Sequence, residues 1–417
     1  MKGMFLISLM ISMSCIAVFS IALWNYMFRS SRKVLVACAA VSVTIIAAGE
    51  LAYYSTAFPE LENVFHPVLF YGSLAALSWL FMFFFAFPVL LIGAICCFFI
   101  RMLRPRHRPE TKERKENTAA ARTVTRRTFI KGTAAAIPLA AVTVSAGGTF
   151  AGESYLDTTY HRLAFPSLPD YLDGYKIGQL SDLHMGLFFS PRRLQESLDA
   201  LAAAGVNRVE ITGDLIDELS LLPACRQILQ QNASRFPDGM DFCYGNHEYY
   251  RGFNQITAML EETPVRIMRN SHIVVSTGRG NGMTGCTGKD DRPFYIAGTD
   301  YSFAKGDKEF SRQREAYVQK TLQGIPTDAF VVMLAHHSAF IDEAFRHNIP
   351  LTLCGHTHGA QVALIGPLVQ AVGFKYLRGM FASGRCRGYV NRGTGHWLPL
   401  RVLCSREVSV FELKQKN

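Results

Sequence analysis

Tyr175-Lys-Ile-Gly-Gln-Leu-Ser-Asp-Leu-His184 is a short apolar run that ends on a carboxylate and an imidazole two positions apart. Apolar runs of this length read as β-strands, and residues two apart in extended backbone share one side. Four further blocks repeat the design: Arg208-Val-Glu-Ile-Thr-Gly-Asp214, Phe242-Cys-Tyr-Gly-Asn-His-Glu248, Phe330-Val-Val-Met-Leu-Ala-His-His337 and Leu351-Thr-Leu-Cys-Gly-His-Thr-His358. Asp182, His184, Asp214, Asn246, His336, His356 and His358 are therefore expected in loops at the C-terminal edges of strands, with His247 beside Asn246. That edge is where open α/β sheets place their chemistry.

From about Tyr160 onward, short apolar runs alternate with amphipathic stretches, the mark of an α/β architecture. Strands are expected at Tyr175–Leu180, Arg208–Thr212, Phe330–Leu334, Pro350–Cys354 and Val408–Leu413. A helix is expected at Pro191–Ala204, with Leu194, Leu198 and Leu201 on its apolar face. Thr277–Arg292 is rich in Gly and polar residues and reads as a mobile loop. No internal repeat is visible.

A donor set of carboxylate, imidazole and amide oxygen suits Mn, Fe or Zn better than Ca or Mg, which prefer oxygen alone. An isolated Asp-x-His carries little information. Gly-Asn-His-Glu and Gly-His-Thr-His carry more, and five blocks in this order exclude a scatter of polar loop residues.

The first 150 residues are of a different kind. Phe5–Phe28, Val34–Tyr54 and Val68–Ile100 are each long enough to cross a hydrocarbon core of about 30 Å, which takes roughly 20 helical residues. Glu50 is the one acidic residue within them. A weaker apolar segment, Thr133–Phe150, reads either as a fourth span or as the h-region of a signal. The expected organisation is thus three spans over 1–103, a basic cytoplasmic loop with the weaker segment over 104–159, and an α/β domain over 160–417.

Lys and Arg near span ends mark the cytoplasmic side. The loop after the first span contains Arg29, Arg32 and Lys33, whereas Ser55–Pro67 has Glu60 and Glu62 and no base. Arg101–Arg127 carries ten Lys or Arg against three Glu. This in, out, in alternation sends the C-terminal domain to the outer face, periplasmic or extracellular. Pro88 inside the long third stretch leaves a split or re-entrant segment open, which would reverse the parity. Much of the net charge of +10 sits in the juxtamembrane loop, where anionic headgroups explain it and nucleic acid is not expected. Ten cysteines include no Cys-x-x-Cys, which argues against structural zinc or a redox motif. Cys243 and Cys354, next to metal-ligand blocks, read as buried strand residues.

With these motifs assembled, the chain resembles the calcineurin-like metallophosphoesterases, whose pattern is Asp-x-His, Gly-Asp, Gly-Asn-His-Asp/Glu, His and Gly-His-x-His. More narrowly it is similar to the bacterial membrane-associated group typified by YkuE and YaeI. That likeness rests on Gly355-His-Thr-His-Gly-Ala-Gln361, on Tyr389-Val-Asn-Arg-Gly-Thr-Gly-His-Trp-Leu-Pro-Leu-Arg401, and on the twin-arginine-like Thr125-Arg-Arg-Thr-Phe-Ile-Lys131. It covers roughly residues 125 to 415.

The resemblance implies a four-layer α/β/β/α sandwich and two divalent transition-metal ions. It implies that Asp182, His184 and His358 hold one ion, that Asn246, His336 and His356 hold the other, and that Asp214 bridges them. A hydroxide shared by the ions would attack phosphorus, and His247 would serve the leaving group as acid. His337 follows His336 and competes with it as a ligand. Arg251, Arg378, Arg392 and Arg401 are candidates for holding phosphate, with Arg392 preferred. The implied activity is a membrane-anchored phosphohydrolase of diesters or pyrophosphates, on a lipid-linked or envelope substrate. Two other readings stay open: a lipid pyrophosphatase of the UDP-diacylglucosamine type facing the cytoplasm, and a metal-binding scaffold without catalysis.

Overall fold

The structure, a computed structural model, describes residues 2–28, 32–55, 59–103, 126–152, 154–275, 292–371, 373–396 and 398–416. The chain divides into two compact units, Met1–Ala151 and Gly152–Asn417. The loop expected at Thr277–Arg292, except Arg292 itself, and most of the basic stretch from Arg101 to Arg127 lie outside the described residues.

The first unit is helical: Lys2–Phe28, Arg32–Ser55, Pro59–Met102 and Arg126–Ala146. Each of the three expected spans falls inside one of the first three helices. The third continues through Pro88, so no split or re-entrant segment occurs there. Among the described residues one stretch, Leu74–Met102 with mean hydropathy 2.7, is long and apolar enough to cross a membrane. Ser14–Phe28, Leu35–Ile45 and Ala136–Ala151 are apolar but shorter. Ala17, Ala86 and Ala141 pack with Met82, Phe83 and Leu90 into an apolar seam, the small residues letting helix backbones approach.

Among the described residues the second unit has twelve strands: β1 (Leu156–Phe165), β2 (Lys176–Leu180), β3 (Arg208–Thr212), β4 (Met240–Cys243), β5 (Val265–Met268), β6 (Ser271–Val274), β7 (Phe294–Gly298), β8 (Phe330–His337), β9 (Leu351–Gly355), β10 (Gly379–Ser383), β11 (Cys386–Val390) and β12 (Arg406–Gln415). They form two six-stranded sheets, ordered β1-β12-β2-β3-β4-β5 and β10-β11-β9-β8-β7-β6. β1 pairs in parallel with β12 from Leu156 to Phe165, so the domain opens ahead of the expected start at Tyr160. β2 to β5 run parallel to one another, as do β7, β8 and β9, which brings their C-terminal ends together.

Three apolar layers alternate with the sheets. Leu194, Leu198 and Leu201, on the helix Pro191–Ala203, pack on Val209, Ile211 and Val408 of the first sheet. Ile177, Phe411, Phe294, Val332 and Leu353 fill the space between the sheets. Met333 and Ala335 meet Phe340 and Ile341 on the outer side of the second sheet. Helix, sheet, sheet and helix thus stack as the resemblance implied. Gln179 ties the sheets near their C-terminal edges by donating to Thr212 Oγ1 at 2.9 Å and to the Cys354 carbonyl at 3.0 Å.

Candidate metal centre

All five sequence blocks arrive at that edge: Asp182 just past β2, Asp214 past β3, Asn246 past β4, His336 near the end of β8, and His356 and His358 past β9. The backbone there is unusual. Asp182, His184, Asp214, His356 and His358 all have positive φ, between 50° and 74°. Side-chain-bearing residues enter this region at a cost of about 1 kcal/mol or more each, and such strain gathers at functional sites.

Of three donor clusters among the described residues, two gather the residues of the sequence blocks, and the third joins His184 with Asp217 and His247. Asp182, His184 and His358 bring their donor atoms within 4.8 Å of one another, and so do Asp214, His336 and His356. His184 Nε2 and His358 Nε2 lie 3.1 Å apart; His356 Nδ1 and His336 Nε2 lie 3.2 Å apart. Two nitrogens each about 2.0–2.1 Å from a shared ion stand about 3 Å apart, so both spacings fit divalent coordination. Asp214 Oδ2 sits between the clusters, 3.6 Å from His184 Nε2 and 3.2 Å from His336 Nε2. Asn246 Oδ1 is buried and accepts no hydrogen bond, the state of an acceptor held for a cation.

Supporting bonds aim these groups. His336 donates from Nδ1 to the Thr212 carbonyl at 2.7 Å, which leaves the Nε2 lone pair pointing into the cluster. The Asp182 carboxylate accepts from Ser181 Oγ at 2.6 Å and from the His356 backbone N–H at 3.0 Å. Glu248 accepts from the backbone N–H groups of Gly245, Asp214 and Leu215 at 2.8, 3.0 and 2.6 Å. Burial and the nearby Asp214 push the Glu248 carboxyl up to about 7. Burial also works to neutralise Asp214, but His336, His247 and His184 outweigh it and hold Asp214 well below the usual carboxylate range. Burial would lower His336, yet Asp214 and Asp182 raise it to about 10. The buried carboxylates raise His336 and His184, whereas burial and the neighbouring imidazoles lower His356 and His358.

His337 does not enter either cluster. Its Nδ1 accepts from the Ala339 N–H at 3.1 Å, and its ring packs on Phe310 and Phe374. Burial, with the charge of His336, drops it to about 3. Of the four arginine candidates, the preferred one is taken up elsewhere. Arg392 binds Glu407 and Asp157, each at 2.9 Å, and links β12 to β1. Arg401 is buried and donates to the carbonyls of Cys404, Ser405, Arg392, Gly393 and Gly395. It thereby shapes a loop whose Thr394 and Gly395 N–H groups bond the carbonyls of Ser181 and Asp182, at 2.7 and 3.1 Å. Arg378 stays beside the centre, 3.5 Å from the Gly359 carbonyl.

Asp217 is the residue that sequence reasoning missed. Its carboxylate accepts from His247 Nδ1 at 2.6 Å and from Arg251 at 3.0 and 3.1 Å. It also lies 3.5 Å from His184 Nδ1. The signal was its place three residues after Asp214 in Gly-Asp-Leu-Ile-Asp, which alone did not reveal a partner. Tyr250 and Tyr301 line the approach, with ring centres 5.9 Å from His247 and 5.8 Å from His356. Cys243 and Cys354 are buried and their thiols are free.

Residues 175–360 match the model of the calcineurin-like phosphoesterase family. The second unit is a calcineurin-like phosphoesterase domain. It is accordingly a phosphoric ester hydrolase, of a family that uses divalent metal ions, and the two donor clusters fit that requirement. YkuE of Bacillus subtilis, an uncharacterized metallophosphoesterase, is 29% identical over 70% of this chain and 99% of its own length. The phosphodiesterase YaeI of Escherichia coli is 27% identical over 70% of this chain and 99% of its own. A transmembrane protein with a metallophosphoesterase domain from Danio rerio is 28% identical over 60% of this chain and 55% of its own.

Proposed function

We propose that this chain is a membrane-anchored, two-metal phosphohydrolase that cleaves a phosphodiester or pyrophosphate bond. The observation that carries the reading is Asp214, whose Oδ2 stands between His184 Nε2 and His336 Nε2 at 3.6 and 3.2 Å. In this reading Asp182, His184 and His358 hold one ion, Asn246, His336 and His356 hold the other, and Asp214 serves both. When bound, such ions lower the pKa of a water and offset charge on the phosphoryl oxygens; Mn, Fe and Zn suit these donors.

The chain's own groups do the rest. Asp217 fixes the His247 ring for proton exchange with a leaving-group oxygen. Glu248 clamps the Asp214 and Gly245 backbone, so the bridging carboxylate keeps its place. Arg378 is the arginine best placed for a phosphate oxygen. The domain is assigned to the outer face by the alternating charge of the N-terminal loops, and tethering favours a lipid-linked or envelope substrate through effective concentration. Among the described residues Leu74–Met102 is the one stretch long and apolar enough to cross, and this supports the cytoplasm-facing pyrophosphatase as a second reading, because the number of crossings sets the face.

Replacing Asp214 with Asn tests the assignment. Hydrolysis of bis(4-nitrophenyl) phosphate by the full chain should fall by at least about 10²-fold, about 2.7 kcal/mol of barrier, with metal content reduced in the same preparation. Parent-like turnover with full metal content overturns the two-metal assignment. A reporter fused after Asn417 separates the two faces.

A further inference from the structure

Ala360 to Phe374, the chain that follows His358, contains no charged residue, yet much of it lies at the surface. Leu364 and Leu368, one helical turn apart, are 71% and 65% exposed. A second segment joins it: Val362 bridges Val402 in parallel, with Ala363 N–H on the Val402 carbonyl at 2.9 Å. Next to that bridge Leu403 is 78% exposed and has a φ of 53°. A leucine in the left-handed region whose side chain points into solvent gains nothing from the domain's own packing. Contiguous apolar surface on a soluble face marks an interaction site.

The patch adjoins the metal centre, since Cys404 Sγ lies 3.6 Å from the carbonyls of both His358 and Gly359. Gly359–Arg378 and Gly388–Ser405 hold no Asp or Glu. Of their four bases, Arg392 is held by Glu407 and Asp157, Arg401 is buried on backbone carbonyls and Lys375 pairs with Asp342, which leaves Arg378 as the base beside this face. An apolar face whose own two segments carry no carboxylate, with Arg378 beside it, suits a leaflet with anionic headgroups. The chain also carries a helical stretch apt to cross a bilayer, which puts lipid within reach of the domain.

We propose that Leu364, Leu368 and Leu403 form a membrane-docking face that seats the metal centre on a leaflet with anionic headgroups, for substrates whose phosphate lies at that surface. The proposal deepens the phosphohydrolase reading and rests on it for the substrate, but not for the docking.

The test uses the full chain in phosphatidylglycerol-containing proteoliposomes. Leu368→Trp should add fluorescence that is quenched by bromine on lipid acyl chains, above the baseline set by the parent's three tryptophans. In a second arm, Leu364→Glu combined with Leu368→Glu should leave hydrolysis of a soluble diester unchanged and slow hydrolysis of a bilayer phospholipid by about tenfold or more. Absence of added quenching overturns the docking face, as does crosslinking at position 368 to a second copy in place of lipid contact. Quenching without any diester hydrolysis by the parent would leave docking intact and sink the phosphohydrolase reading instead.

Discussion

Gly245→Ala isolates the role of backbone proximity at the metal centre. Gly245 has an ordinary φ of −99°, so alanine is conformationally acceptable there. A Cβ at this position would overlap the Asp214 carboxylate and come within 2.8 Å of the Asp214 backbone N, tighter than real Cβ contacts allow. Neither neighbour can yield freely, because Glu248 already holds both backbones. Overpacking of this kind costs about 1–3 kcal/mol of stability. Moving the carboxylate between the two clusters by about 1 Å costs about 10²-fold in kcat/KM, near 2.7 kcal/mol. The assay is steady-state hydrolysis of bis(4-nitrophenyl) phosphate beside metal analysis and the domain's melting temperature. Gly324→Ala supplies the contrast: its φ is +91° and no atom lies within 4 Å of the new Cβ, so it should lose about 1–2 kcal/mol of stability and no activity. Parent-like kcat/KM in Gly245→Ala, or equal losses of activity in both variants, would refute the reasoning.

The adjacent histidines should part company. His336→Ala should lose metal and activity by about 10²-fold or more, whereas His337→Ala should keep its metal and pay mainly in stability, about 1–3 kcal/mol for a packed ring; metal analysis of both decides. At the surface, Glu315 receives Arg346, His347 and Gln319 at 2.8, 2.6 and 2.9 Å, and these bonds, against the effect of burial, lower its carboxyl to about 2. A depressed folded pKa means the stabilisation is complete above the unfolded value of about 4.3 and disappears as pH falls toward 2. With solvent screening it amounts to under about 1 kcal/mol. The gap in melting temperature between the parent and Glu315→Gln should therefore close between pH 5 and pH 2.

Much of the domain could be read before any coordinates. Expected strands at Arg208–Thr212 and Pro350–Cys354 agree within a residue with β3 and β9, because Val209 and Ile211, like Leu351 and Leu353, recur at the strand period of two just ahead of a Gly. β1 was not legible: Leu156–Phe165 mixes polar and apolar residues, and its pairing with β12 spans some 250 positions of sequence. The surroundings of Arg392 were hidden for a related reason. Arg392 looks like a phosphate ligand by its motif, but Glu407 and Asp157 that claim it come from two strands distant in sequence.

Sequence by itself determined which residues are candidate metal ligands and that they sit at strand ends, since side-chain type and hydrophobic period are local properties. Tertiary structure alone decided which donors share a cavity. Along β8, Phe330, Val332 and Leu334 face the other sheet while Val331, Met333 and Ala335 face outward, so alternation turns His336 inward and His337 away. Both faces are apolar, so the sequence could not say which was which. The irregular register between Leu334 and His337, the Thr212 carbonyl from the other sheet and the carboxylate of Asp217 complete the choice. Each joins segments distant in sequence, and the bond from His336 to Thr212 forms only when the two sheets close on one another.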